Sequence, residues 1–161
     1  MMELNIRKAQ AEDLSRITEI EAESFAPEEA ASQAKYAWRL ANYPDYFIVG
    51  EKETQIVSVV CMIPMAKQVI DDDLFEMERV PMGTVCAVLS VMTAAAWRKC
   101  GVAEQMLHAA IETARSQGMT AMALTCKEHL IHYYAKFGFQ KQGLSASVHG
   151  GAVWYDMVKE L

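Results

Sequence analysis

The chain has 161 residues, 52% hydrophobic and 22% charged, with a formal net charge of -6. That length suits one domain, residues 1–161, with its own core, and the balance is far from the high-charge, low-apolar composition of disordered chains. The acidic excess argues against nucleic acid or an anionic membrane surface as partner, since both call for a basic face.

The N-terminal "MMELNIRKAQAEDL" lacks the apolar stretch of a secretion signal, and nowhere do about 18 uninterrupted apolar residues occur, so a soluble cytoplasmic protein is expected. Cys61, Cys86, Cys100 and Cys126 show no C-x-x-C spacing. Neither a zinc site nor a disulfide framework is expected, and no metal is called for.

In chain order, Leu4 to Arg7 alternates like an edge strand, and Ala11 to Phe25 carries Leu14, Ile17, Ile20 and Phe25 at roughly helical spacing. After Pro27, "EEAASQAKYAWRLANY" is rich in helix formers and should stop before Pro44. Tyr46 to Gly50 and Ile56 to Pro64 read as two strands of a hairpin around "EKETQ", and the acidic "DDDLFEMERVPMG" reads as a loop. Thr84 to Val91 is an uninterrupted apolar run of strand length, expected at the centre of the sheet.

Beyond Gly101 the residues Ala103, Met106, Leu107, Ala110, Ile111 and Ala114 form one helical stripe, which Gly118 should end. Thr120 to Cys126 predicts another buried strand, and about His129 to Lys136 a short helix. Gln140 to Leu144 and Ala152 to Val158 predict two strands separated by the turn "HGG". The predicted order β α α β β β α β α β β gives an α/β fold: a mixed, mostly antiparallel sheet of about seven strands flanked by about four helices.

Two constellations carry chemistry. The first, "RKCGVA" from Arg98 to Ala103, fits Q/R-x-x-G-x-G/A and falls between the best strand and the best helix. The first amides of a helix lack acceptors within it, and the macrodipole adds partial positive charge there, so a pyrophosphate would complete that end. Read without a ligand, the same residues are a capped helix start with Arg98 in solvent.

The second is "HYYAKFGFQ", His132 to Gln140, in which Tyr133, Tyr134 and Phe137 lie on a helix ended by Gly138. A phenol with pKa near ~10 stays neutral at pH 7 and can donate to a departing thiolate of intrinsic pKa ~8.5. Without that chemistry Tyr134 would be an aromatic anchor between helix and sheet.

Y-x-x-F-G-F downstream of an R-x-x-G-x-A helix start resembles the GNAT superfamily of acetyl-CoA-dependent N-acetyltransferases. Within it, "PEEAAS" at Pro27 to Ser32, "YPDYFIVGE", "LSV" at Leu89 to Val91, "CKEHLIHYYAKFGF" from Cys126 and "YDM" at Tyr155 to Met157 follow one another as in the arylalkylamine (serotonin) N-acetyltransferase branch and its bacterial relatives. The resemblance spans nearly the whole chain.

It implies a GNAT domain that binds acetyl-CoA as co-substrate and acetylates a small primary amine by direct attack in a ternary complex, working as a monomer or homodimer. Backbone groups of Leu89, Ser90 and Val91 would meet the pantetheine arm. The amides of Arg98, Lys99, Cys100, Gly101, Val102 and Ala103 would hold the pyrophosphate, and Tyr134, not Tyr133, would stand beside the thioester sulfur.

The chain departs from that branch at the base. Matching the branch's H-x-H-A-L-A-V run to "VCAVLSV" puts Val85 and Ala87 at the histidine positions, and allowing for the longer interval to Gly101 puts Ala87 and Leu89 there. None of these ionises. An alkylamine of pKa ~10.4 costs roughly 4.6 kcal/mol to deprotonate at pH 7, so Glu28 and Glu29, with Glu76 and Glu78 behind them, are the expected first proton acceptors.

The four histidines, His108, His129, His132 and His149, fall where structural or exposed roles are expected. Met62, Met65, Met82 and Met92 suit core filling or an adaptable apolar pocket. Two other readings stay open: a catalytically weak CoA-binding module, and an N-acetyltransferase acting on a protein or peptide.

Overall fold

The computed structural model describes residues 4–27, 30–68, 70 and 83–161. Its elements are β1 (Asn5–Lys8), α1 (Leu14–Ser24), α2 (Gln33–Asn42), β2 (Phe47–Lys52), β3 (Gln55–Met65), β4 (Val85–Thr93), α3 (Val102–Ser116), β5 (Ala121–Cys126), α4 (Ile131–Ala135), β6 (Gln140–Leu144) and β7 (Tyr155–Glu160). This is the order expected from the sequence. The last strand starts at Tyr155 rather than Ala152, because the residues before it make a corner in which the Trp154 indole donates to the His149 carbonyl at 2.9 Å.

The strands form one sheet in the order β1-β2-β3-β4-β5-β7-β6. The apolar run of β4 therefore lies at its centre. Every pairing is antiparallel except β4 with β5, the connection that passes through α3. The β2–β3 hairpin turns on Glu53 and Thr54, both left-handed at φ 52° and 69°, as a two-residue hairpin loop requires.

The helices bury apolar stripes on both faces of the sheet. On one face Met106, Leu107 and Ile111 of α3 and Tyr134 of α4 pack with Met62, Cys86, Val88 and Leu124. On the other, Ile17 and Ile20 of α1 and Tyr36 of α2 pack with Phe47, Val49, Val59, Cys61 and Met92.

Two irregularities prepare the site. Cys61 pairs with Ser90 but Met62 with Val88, so Leu89 has no partner on β3 and forms a β-bulge. The bulge reverses the side-chain alternation: Val85 and Ala87 face the α1/α2 side before it, Ser90 and Met92 after it. On its other edge, β4 pairs with β5 only over Val85–Ala87 against Ala121–Ala123. Beyond that point the two parallel strands separate, leaving the facing edges of Val88–Val91 and Leu124–Cys126 without ladder partners.

Candidate active site

A cavity of about 130 Å³ fills the separation between β4 and β5. Val88, Leu89, Ser90 and Val91 form one wall and Leu124, Thr125 and Cys126 the other. Because the sheet is open here, the cavity reaches both layers of helices. Tyr134 lines it from the α4 side, while Glu21, Phe25, Lys35 and Arg39 line it from the α1/α2 side, with His149 and Trp154 of the β6–β7 connection.

Tyr134 is 9% exposed, held by edge-on ring contacts with Tyr133 and Phe139 at 5.3 and 6.1 Å. Burial, with smaller contributions from Cys126 and Tyr133, pushes its phenol far above the ordinary tyrosine value. It therefore keeps its proton at any working pH. Among the described residues its hydroxyl makes no hydrogen bond, so its donor is left for whatever enters the cavity.

On the opposite wall, Glu21 is 2% exposed although it is a carboxylate. It lies on the inward stripe of α1, in phase with Ile17 and Ile20. The Tyr36 hydroxyl donates to its Oε1, and the Ala31 amide also bonds to it. Tyr36 and Ser90 hydroxyls lie 2.9 Å apart, so a line of polar groups runs from Glu21 to the residue just past the bulge. Burial raises the Glu21 carboxyl above its usual range, while the Tyr36 hydrogen bond and the positive fields of Arg39 and His149 pull it partly back. A carboxylate so placed has a raised proton affinity, as a base requires.

A second cavity lies where α3 begins, lined by Thr93, Trp97, Arg98, Lys99, Gly101, Val102, Ala103, Glu104 and Tyr133. Gly101 is the N-cap of α3 in the left-handed region, φ 80°, and no side chain caps the helix. A Cβ on Gly101 would meet no atom within 4 Å. The first amides of α3 thus face open space with no protein acceptor. A pyrophosphate fits this end by charge and by room, and the unpaired edge of β4 leads from it to Tyr134.

The expected cofactor-binding residues accordingly fall in two groups: Leu89, Ser90, Val91 and Tyr134 at the first cavity, and Arg98, Lys99, Gly101, Val102 and Ala103 at the second. Cys100 lies in the turn between them, its thiol donating to the Arg98 carbonyl at 3.3 Å. The Arg98 side chain is exposed yet anchored. It donates to the Thr93 carbonyl at 3.0 Å and to the Glu23 carbonyl and Ser24 hydroxyl, both at 3.3 Å, tying the turn to β4 and α1.

The expected bases Glu28, Glu29, Glu76 and Glu78 lie outside the described residues, as do Asp71 to Asp73 and Met82. Among the described residues, Glu21 and Arg39, neither of them singled out in the sequence, line the cavity wall. Each had a signal: a charged residue in the inward phase of an amphipathic helix, beside Ile17 and Ile20 for Glu21 and three residues from Tyr36 for Arg39. His149, expected to be structural or exposed, is half-buried against the cavity, while His108, His129 and His132 are exposed.

Met62, Met65 and Met92 are core residues. Cys61, Cys86 and Cys126 are buried thiols that burial pushes up to about 11, 12 and 11. None forms a thiolate near neutral pH, which removes the motive for a covalent route through Cys86 or Cys126. No helix among the described residues is long and apolar enough to cross a membrane.

A centrally split sheet, a bulge beside the split and an uncapped helix start together leave an open groove that runs from the α3 turn to Tyr134. The family described as the acetyltransferase (GNAT) domain matches residues 5–141, and the chain belongs to it. GNAT domains use acetyl-CoA as co-substrate.

Among solved structures, the fold is similar to the GphF GNAT-like decarboxylase in complex with isobutyryl-CoA, with TM-score 0.83, 16% identity and coverage of 97% of this chain and 98% of that one. It is also similar to the loading GNATL domain of CurA from Lyngbya majuscula, at 0.82, 15%, 99% and 98%. The PaiA N-acetyltransferase from Thermoplasma acidophilum, in complex with coenzyme A, gives 0.75, 15%, 99% and 100%. No curated protein matches the chain. These findings carry the resemblance to the GNAT family and give the arylalkylamine branch no support.

Proposed function

We propose that the protein transfers the acetyl group of acetyl-CoA to a primary amine by direct attack in a ternary complex. The observation that carries this reading is the cavity that opens on both faces of the sheet, with a buried, protonated Tyr134 on one side and a buried Glu21 on the other. The uncapped start of α3 would hold the pyrophosphate, and the open edge of β4 the pantetheine arm. The bulge at Leu89 frees a backbone amide from the ladder for the thioester carbonyl.

The amine, approaching from the α1/α2 side, gives its proton to Glu21 and forms the new C–N bond at the carbonyl carbon. As the C–S bond breaks, the Tyr134 hydroxyl gives its proton to the departing sulfur and regains one from the nitrogen, so the amide and the CoA thiol leave and Glu21 returns its proton to solvent. Glu21 is the first proton acceptor in this reading, the role for which the sequence put forward Glu28 and Glu29, and positioning within the cavity supplies much of the rate. Tyr134 favours this reading over a bare CoA-binding module, because binding alone gives a buried phenol no need of an unpaired donor.

The test is Tyr134→Phe, which keeps the ring and removes the donor. Acetyl-CoA affinity should survive while kcat falls roughly 100-fold or more. Tyr133, which lines the α3 cavity instead, is the control, and Tyr133→Phe should leave kcat nearly unchanged. Equal losses in both variants, or no loss for Tyr134→Phe, would remove Tyr134 from the reaction.

A further inference from the structure

Arg39 is 4% exposed and lines the same cavity as Glu21. Its guanidinium carbon lies 5.3 Å from the centre of the Tyr36 ring, and it neighbours the Cys61 thiol, which burial keeps neutral. Among the described residues no carboxylate lies within ion-pair distance of it. The field of Glu21 reaches Arg39, but no ion pair joins the two.

A buried guanidinium served only by a ring face and a thiol retains unused donors in a fixed fork, the geometry that matches a carboxylate. Nor is it alone. Among the described residues, Lys35 and His149 line the α1/α2 side of the cavity with it, beside Glu21. A pocket meant for a simple cationic amine gains nothing from a buried guanidinium, whose charge repels it.

Resting on the acetyltransferase reading above, we infer that the acceptor is an amino acid or similar amino carboxylate, whose amine meets Glu21 and whose carboxylate pairs with Arg39. Amine and acid are then held at two points, which fixes the nitrogen relative to the thioester and rejects amines that lack the acid. The carboxylate belongs to the acceptor rather than to the acyl group because Arg39 and Tyr134 approach the opening from opposite sides of the sheet.

The test measures CoA release with acetyl-CoA for the common amino acids, each beside its carboxamide and its decarboxylated amine. At least one amino acid should exceed both counterparts at least tenfold in kcat/KM, and in Arg39→Met that preference should fall to near one. A free amine or carboxamide used as well as the acid overturns the inference while leaving the acetyltransferase reading intact; a preferred carboxamide points to a peptide N-terminus. Acetyl-CoA and succinyl-CoA are compared in both proteins, and loss of selectivity only between these donors would move the carboxylate to the acyl group and overturn the inference.

Because Arg39→Met alters a buried position, the wild-type preference is read independently of it. If acetyl-CoA binds but nothing is acetylated, calorimetry with the same panel decides: amino acids binding tighter than their amines sustain the inference, and equal or absent binding overturns it. Failure to bind acetyl-CoA at all removes the acetyltransferase reading and the inference together.

Discussion

The two sides of the cavity are built from different materials. The side assigned to CoA is largely backbone: the amides at the start of α3, the open edge of β4, the bulge at Leu89 and one side chain, Tyr134. The acceptor side is largely side chains, from α1, α2 and the β6–β7 connection, which converge from Glu21, Arg39 and His149 across the chain. Backbone sites tolerate sequence change as long as the turn and the break in the sheet persist. Side-chain sites are remade by single substitutions, so one fold can keep its donor while its acceptor changes.

Substitutions on the two sides should therefore have different signatures. The largest change expected here is Tyr36→Phe, which removes the hydroxyl shared by Glu21 and Ser90. Leaving those buried groups underserved should cost about 1–3 kcal/mol of stability in denaturant unfolding. Since the Tyr36 hydrogen bond lowers the Glu21 carboxyl, its loss should also move the acidic limb of the rate profile to higher pH.

On the backbone side, Gly101→Val places a branched side chain at φ 80° and in the space before the α3 amides. Affinity for acetyl-CoA should fall at least tenfold, about 1.4 kcal/mol, by titration calorimetry, with acceptor selectivity unchanged. Unchanged CoA affinity in the folded variant would place the pyrophosphate elsewhere.

A smaller effect separates function from stability at Glu21. Its folded pKa is raised, so its contribution to stability is full below the unfolded value near ~4.3 and is lost as pH rises through the folded value. Glu21→Gln should thus raise the melting temperature at pH 8 by about 2–4 °C per kcal/mol regained, with the gain shrinking toward pH 4. The same gain at every pH would mean that ionisation of Glu21 is not the cause. The smallest effect is expected from Cys126→Ser, whose thiol is un-ionised at neutral pH and should leave kcat within about twofold.

The same contrast explains what the sequence discloses. The α3 turn is encoded in six consecutive residues, Arg98 to Ala103, and Tyr134 in the compact Y-x-x-F-G-F, so both can be read locally. The order of elements and the central place of β4 followed because that strand is a largely apolar run and the helices show clear stripes. The bulge at Leu89 and the parting of β4 from β5 leave no mark in "VCAVLSV", since pairing depends on the neighbouring strands. Glu21 and Arg39 were hidden differently. Their meaning comes from facing one cavity, and in the sequence only their inward phase on a buried helix stripe marks them.

The central claim is that Glu21 receives the amine proton, and the pH dependence of kcat/KM in wild type and Glu21→Gln tests it most directly. Wild type should show an acidic limb set by the Glu21 carboxyl. In Glu21→Gln, with acetyl-CoA affinity retained, the rate near neutrality should drop about 100-fold and that limb should disappear, activity recovering only as pH approaches the amine's own pKa. An acidic limb that persists at the same pH in Glu21→Gln, or a loss that is uniform across pH, would contradict the account.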